Sequence, residues 1–164
     1  MKVLGLIRHA KSDWDNPDLE DFERPLNARG YRDARRMAEQ IKARGYTPDY
    51  ILSSTAIRAA STALIFSRFF RLSNTNIGFD PRLYACTEKA FMDVLKSLPP
   101  SASTCFVFGH NETLSQIAAH LTDDKVAEVP TCGVVILQAN STRWEELEEG
   151  ELLLFDYPKK FSPE

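Results

Sequence analysis

Val3-Leu4-Gly5-Leu6-Ile7 is an unbroken apolar run, and it leads straight into Arg8-His9. Such a run fits a strand buried on both faces, as in a parallel sheet covered by helices. The pattern returns twice. Tyr50-Ile51-Leu52-Ser53 leads into Ser54, and Thr104-Cys105-Phe106-Val107-Phe108 leads into Gly109-His110-Asn111. Helical patterns separate these runs. Asn27 is placed to cap a helix carrying Tyr31, Ala34, Met37, Ala38 and Ile41, ended by Gly45 and Pro48. Ser54 or Thr55 caps a second, running through Ala56, Ala60, Ala63, Leu64 and Phe66 towards Phe70. Phe91, Val94, Leu95 and Leu98 mark a third, stopped by Pro99-Pro100, and Leu114, Ile117, Ala118 and Leu121 a fourth. Ile77 to Phe79 reads as a short strand. Val134 to Leu137 and Leu152 to Phe155, joined by a short connection, read as an antiparallel pair. The alternation predicts an α/β fold: three-layer α/β/α, with a mostly parallel central sheet and an antiparallel edge strand.

The chain has 164 residues, 43% of them hydrophobic and 26% charged, which suits one folded domain spanning residues 1–164. Twenty Lys and Arg against 23 Asp and Glu leave a formal charge of −3, which argues against nucleic acid as a partner. No apolar run reaches the length of a membrane span, and the N-terminal stretch lacks the hydrophobic region of a secretory leader. Cys86, Cys105 and Cys132 form no C-x-x-C pair and read as reduced, mostly buried thiols of a cytoplasmic protein. Charge is unevenly spread. Eleven of the 12 arginines lie in residues 1–82, so a local anion site is compatible with an acidic total.

Ligands of open α/β sheets bind beyond the carboxyl ends of the strands. Arg8 and His9 end the first run, Ser53-Ser54 ends the second with Arg58 about one turn into the next helix, and His110 ends the third. Two arginines and two histidines are therefore expected on one rim. Arginine's planar fork binds phosphate oxygens bidentately and keeps its charge at any physiological pH. Neutral imidazole is nucleophilic near pH 7 and can carry a phosphoryl group covalently. Arg8 and Arg58 would keep a neighbouring histidine unprotonated by like-charge repulsion. Positioning and charge stabilisation supply most of phosphoryl transfer, so neither a metal nor a cofactor is called for. The polar segment from Ala10 to Pro25 reads as a long surface loop beside this rim, with Trp14 expected to anchor a lid.

Other phosphate chemistries fit less well. No G-x-x-x-x-G-K-[ST] is present. Cysteine phosphatases pair Cys with Arg six positions later, where this chain has Met92, Asn111 and Gln138. Asp13-Trp14-Asp15 resembles the paired aspartates of haloacid-dehalogenase-type phosphatases, but those should end a strand directly, where Arg-His stands here. His120 reads as a structural or exposed histidine without a zinc-binding context. The acidic run from Glu145 to Glu151 reads as a solvated face.

Leu6-Ile7-Arg8-His9-Ala10-Lys11-Ser12, Ser53-Ser54-Thr55-Ala56-Ile57-Arg58-Ala59 and Phe108-Gly109-His110-Asn111 resemble, in order, three motifs of the histidine phosphatase superfamily. Arg-His-Ala-Lys-Ser, Arg24-Pro25-Leu26-Asn27-x-x-Gly30 and Pro130-Thr131-Cys132-Gly133 look like its small SixA-like phosphohistidine phosphatase branch. The resemblance implies a phosphoglycerate mutase-like fold. It implies a metal-independent phosphatase in which His9 is phosphorylated, Arg8, Arg58 and His110 bind the phosphoryl oxygens, and water then releases phosphate. Arg24 would line the pocket mouth or anchor the Arg-Pro-Leu turn. Asn111 would position a substrate group or a neighbour, or cap a helix. The partner would be a phosphorylated protein with a phosphohistidine-bearing domain, in signalling or phosphotransfer, or a small phosphorylated metabolite. Two alternatives stand beside this reading: a small-molecule phosphomonoesterase of the same superfamily, and a non-catalytic phosphate-binding or phosphoprotein-docking module.

Thr55 for proline is a small departure, Ala10 for glycine adds a methyl group near the pocket, and Glu112 for proline puts a carboxylate at a helix N-terminus, within reach of the site. The fourth carries chemistry. Many members place a glutamate general acid in a Leu-x-Glu, and the corresponding stretch here is Leu83-Tyr84-Ala85. Glu88 lies nearby, but reads as a helix N-terminal surface residue. An alkoxide leaving group needs that proton. Imidazole, whose conjugate acid titrates near 6.5, needs it far less. The missing acid favours P–N over P–O substrates.

Overall fold

The computed structural model describes residues 1–161. Six strands form one sheet in the order β3-β2-β4-β1-β5-β6. They are β1 (Val3–Arg8), β2 (Tyr50–Ser53), β3 (Ile77–Phe79), β4 (Thr104–Gly109), β5 (Val134–Ala139) and β6 (Gly150–Asp156). β1 to β4 run parallel. β5 pairs antiparallel with β1 on one side and with β6 on the other. The expected hairpin between the last two strands is therefore present. However, the reversed strand is β5, one place in from the edge, and not the edge strand itself. The reason is connectivity: β5 docks on β1, so the short return of β6 can pair only on the outer side.

Four helices cover the sheet: α1 (Ala28–Ala43), α2 (Ile57–Phe69), α3 (Glu88–Lys96) and α4 (Thr113–Leu121). Strand residues alternate between the two faces, which gives three layers. Ile7, Ile51, Phe106 and Phe108 pack with Met37, Ile41, Ala63 and Phe66 of α1 and α2. Leu4, Leu6, Cys105 and Val107 pack with Phe91, Leu95, Leu114 and Ile117 of α3 and α4. Among the described residues no helix is long and apolar enough to cross a membrane.

Gly5 and Gly30 are among the glycines that allow close approach. A Cβ on Gly5 would sit 2.5 Å from the Phe106 ring on the neighbouring strand. A Cβ on Gly30, in the first turn of α1, would sit 2.2 Å from the Lys11 carbonyl oxygen. That carbonyl also accepts from the Asn27 amide, while the Asn27 side chain caps α1 by accepting from Gly30 N at 2.8 Å. The Asn27-x-x-Gly30 spacing thus clamps the chain just after His9 onto the start of α1.

The Ala10–Pro25 segment is less of a free surface loop than its composition suggests. Ser12 bridges Leu26, Asp13 N donates to Pro25 O, and Ala10, Ser12 and Arg24 are buried. Its ends are zipped together, and only the tip, Trp14 to Glu23, projects.

Candidate active site

β2, β4 and β1 are neighbours, so their carboxyl ends form one contiguous rim. Ser53-Ser54, Gly109-His110 and Arg8-His9 stand there side by side, as the parallel pairing requires. Arg58, in the first turn of α2, reaches over the same rim with its Nε 3.4 Å from His9 Nε2. The His9 and His110 ring centroids are 5.3 Å apart. The four residues expected to converge do converge.

The His9 ring is held in one tautomer. Its Nδ1 lies 2.7 Å from the Ala10 carbonyl oxygen, which can only accept, so Nδ1 carries the proton and Nε2 keeps its lone pair. The backbone beneath is fixed too. Ala10 N donates to Thr62 Oγ1 of α2, and the His9 carbonyl accepts from Cys132 N in the Pro130–Gly133 turn. His110 is oriented by Ser54. Ser54 Oγ accepts from Ala56 N and lies 2.8 Å from His110 Nε2. In the tautomer where the Ser54 hydroxyl gives its proton to that nitrogen, His110 Nδ1–H is left as a donor.

Burial pushes the His9 pKa down to about 3, and Arg58, Arg8 and the competing charge of a protonated His110 push the same way against the Ala10 hydrogen bond. Burial, then Arg58, lowers His110 to about 4. Both rings are therefore neutral at neutral pH. The consequence for stability has a definite sign. In the unfolded chain a histidine titrates near 6.5, so below that pH the unfolded state takes up protons that the folded site refuses. Stability is full above about pH 6.5 and falls as the pH drops towards 3. Between pH 7 and pH 5 the loss from His9 alone is about 2 kcal/mol. Urea unfolding at the two pH values, with His9→Ala as reference, measures it. Histidine NMR titration should show His9 still neutral at pH 5.

Among the described residues three buried side-chain nitrogens of these groups have no partner: Arg8 Nε, Arg24 Nε and His110 Nδ1. Unpaired buried donors are costly, and a group of them implies an acceptor brought from outside. Arg8 is braced by Nη1 to the Val129 carbonyl at 3.2 Å. Arg24, 6% exposed, donates to Ser12 Oγ and to Asp21 Oδ1, and its guanidinium lies 3.1 Å from the centroid of the Trp14 ring. Of its two expected roles these contacts correspond to the anchor of the loop.

The remaining expected residues fall as follows. Asn111 caps nothing: the N-cap of α4 is Glu112. The Asn111 amide instead donates to Val129 O and accepts from Ser115 Oγ, which ties the strap that braces Arg8 to α4. Glu88 begins α3 at the surface, and Glu112 is exposed. Neither makes a hydrogen bond or ion pair with the four rim residues among the described residues. His120 is exposed in the last turn of α4. Trp14 is 69% exposed and lies on Arg24 without entering a core. Among the described residues no cluster of His, Cys, Asp or Glu could hold a metal ion.

Sequence reasoning missed Asp21 and Tyr84. Asp21 accepts from Arg58 Nη2 at 2.9 Å and from the Tyr84 hydroxyl at 2.7 Å, and its backbone carbonyl accepts from Arg58 Nη1. The Tyr84 hydrogen bond, reinforced by Arg58 and Arg24, holds the Asp21 carboxyl below its ordinary range. Only the position of Asp21, three residues before Arg24, could have pointed to it.

Comparison with known proteins agrees with this architecture. Residues 4–86 match the model of the histidine phosphatase superfamily, branch 1. A chloroplastic protein of Arabidopsis thaliana with no characterised function is 32% identical over 151 residues, 87% of this chain and 69% of that protein. A SixA-type protein of Agrobacterium tumefaciens superposes with a TM-score of 0.79 at 27% identity, covering 96% of this chain and 98% of the other. The tungstate complex of the protein histidine phosphatase SixA superposes at 0.83, with 19% identity over 98% of this chain and 99% of the other. With its four rim residues on a phosphoglycerate mutase-like sheet, the chain belongs to the histidine phosphatase superfamily and is SixA-like within it.

Proposed function

We propose that the protein is a phosphohistidine phosphatase working through a phosphoryl group carried on His9. The observation that carries this reading is an unprotonated His9 Nε2 with Arg58 Nε 3.4 Å away and the His110 ring 5.3 Å away, on a rim where the buried Arg8 Nε has no partner among the described residues. In the first step the Nε2 lone pair attacks phosphorus. The electron pair of the scissile P–N bond returns to the substrate ring, which leaves as neutral imidazole when its other nitrogen carries a proton. Phospho-His9 then holds phosphorus on Nε2 and a proton on Nδ1, an imidazolium-like ring that is itself a good leaving group. In the second step water attacks phosphorus, gives its proton to the phosphate formed, and His9 recovers its lone pair. Nδ1–H stays on the Ala10 carbonyl throughout. Arg8, Arg58 and His110 stabilise the equatorial oxygens in both steps.

The preference for a P–N bond rests on the absence of an available acid. Tyr84 fills the loop from which a glutamate would come, and its hydroxyl is held above the ordinary phenol range, first by its hydrogen bond to Asp21. Asp21 is ionised and has no proton to give. Incubation with a phosphohistidine-bearing domain tests the reading. Catalytic release of inorganic phosphate is expected. Tight phosphate binding without release would leave the docking-module reading in its place.

A further inference from the structure

We infer that Asp21 is a positioning residue that aims Arg58 at the reacting nitrogen. The three nitrogens of Arg58 are divided between two tasks. The outer fork, Nη1 and Nη2, is taken by the backbone carbonyl and the carboxylate of one residue, Asp21. Nε is left facing His9 Nε2 at 3.4 Å, where a phosphoryl group bound to that nitrogen would place its oxygens. A guanidinium gripped on two of its nitrogens cannot rotate about its own plane, so the direction of Nε is set from the tip of the 10–25 loop.

Asp21 is itself held. Oδ1 accepts from Arg24, which is buried and bound to Ser12 at the base of the loop. Oδ2 accepts from Tyr84, whose ring stands edge-on to His110 with centroids 5.4 Å apart, and Phe22 stands edge-on to Tyr84 at 5.1 Å. The carboxylate therefore joins Arg58 to Arg24 and, through Tyr84, to the neighbourhood of His110. Asp21 is half-exposed, so a simple surface ion pair would be worth little. Its importance lies in geometry, because misaiming a donor by about 1 Å can cost ~10²-fold in rate.

The inference rests on the phosphatase reading for its turnover measurement, but tungstate binding tests it independently of turnover. The variants are Asp21→Asn, Arg58→Ala and the pair combined, each measured for kcat and KM on phosphohistidine and for tungstate affinity by calorimetry. Asp21→Asn should lower kcat about 30-fold with KM changed less than about threefold, and should weaken tungstate about tenfold. In the Arg58→Ala background both losses should shrink to less than about twofold, since the residue acts through Arg58. Asp21→Glu should recover most of the lost affinity.

Equal losses in both backgrounds would overturn the inference and make Asp21 a purely structural loop residue. So would tighter tungstate binding by Asp21→Asn, which would mark the carboxylate as an anion competing with phosphate. Should Asp21→Asn fail to fold, Tyr84→Phe removes one of its supports. A loss of about threefold that vanishes without Arg58 is then expected, and an additive loss overturns the inference. If the unmodified protein binds tungstate but releases no phosphate, the phosphatase reading fails and the tungstate cycle still decides the role of Asp21.

Discussion

His9→Ala is expected to abolish phosphate release, with kcat on phosphohistidine falling by at least ~10³-fold, about 4 kcal/mol of transition-state stabilisation. The size follows from what remains. Arg8, Arg58 and His110 would still bind a phosphoryl group, but a water molecule would have to displace the substrate's imidazole directly. Among the described residues the carboxylate bonded to the rim is Asp21, and its oxygens are committed to Arg58, Arg24 and Tyr84, which leaves it unfit to activate that water. Binding should survive, because His9 is neutral and takes no charge with it. Tungstate affinity within about threefold of the unmodified protein is the accompanying expectation. In the unmodified protein, rapid quenching into base should trap an acid-labile phosphoryl group on His9. Turnover by His9→Ala within tenfold of the original, or a phosphoryl group trapped elsewhere, would defeat the covalent route.

The rim was legible because two simple periodicities place it. Continuous apolar runs mark buried parallel strands, and such strands must deliver their carboxyl ends to one side, so Arg8-His9, Ser54 and His110 were brought together by topology alone. Arg58 followed from helical spacing. The partners that tune these groups were not legible. Asp21 lies 37 residues from Arg58 and 63 from Tyr84, and nothing in an acidic loop singles out one carboxylate. The loop read as surface because its residues are polar, yet Arg24 and Ser12 are buried as mutual partners, which composition cannot reveal. The place of β5 inside the sheet was equally hidden. Its residues report burial on both faces and pairing with β6, but not that β1 is the other neighbour. Cys132 shows a further limit. It takes a positive φ of 58° in the turn that holds the His9 carbonyl, at a position where glycine would be the expected residue.

Discrimination between leaving groups is expected to be the enzyme's strongest selectivity. With Leu83-Tyr84-Ala85 in place of an acid-bearing loop, an alkyl phosphate has no donor to protonate its departing oxygen. Glu88 and Glu112 are exposed, and neither is bonded to the rim. A general acid contributes about 10²–10⁴-fold, so kcat/KM for a phosphohistidine peptide should exceed that for an alkyl phosphate by a ratio in that range. An activated aryl phosphate, whose leaving group is stable as an anion, should sit near phosphohistidine and not near the alkyl ester. This third substrate separates two causes. If the alkyl ester were excluded by pocket shape, the aryl ester, which is bulkier, would be excluded as well. If the cause is the missing proton, only the alkyl ester suffers. The ratio should be unchanged in Glu88→Gln and in Glu112→Gln. Alkyl turnover within tenfold of phosphohistidine, or its collapse in either variant, would show that an acid operates after all and that the P–N preference has another origin.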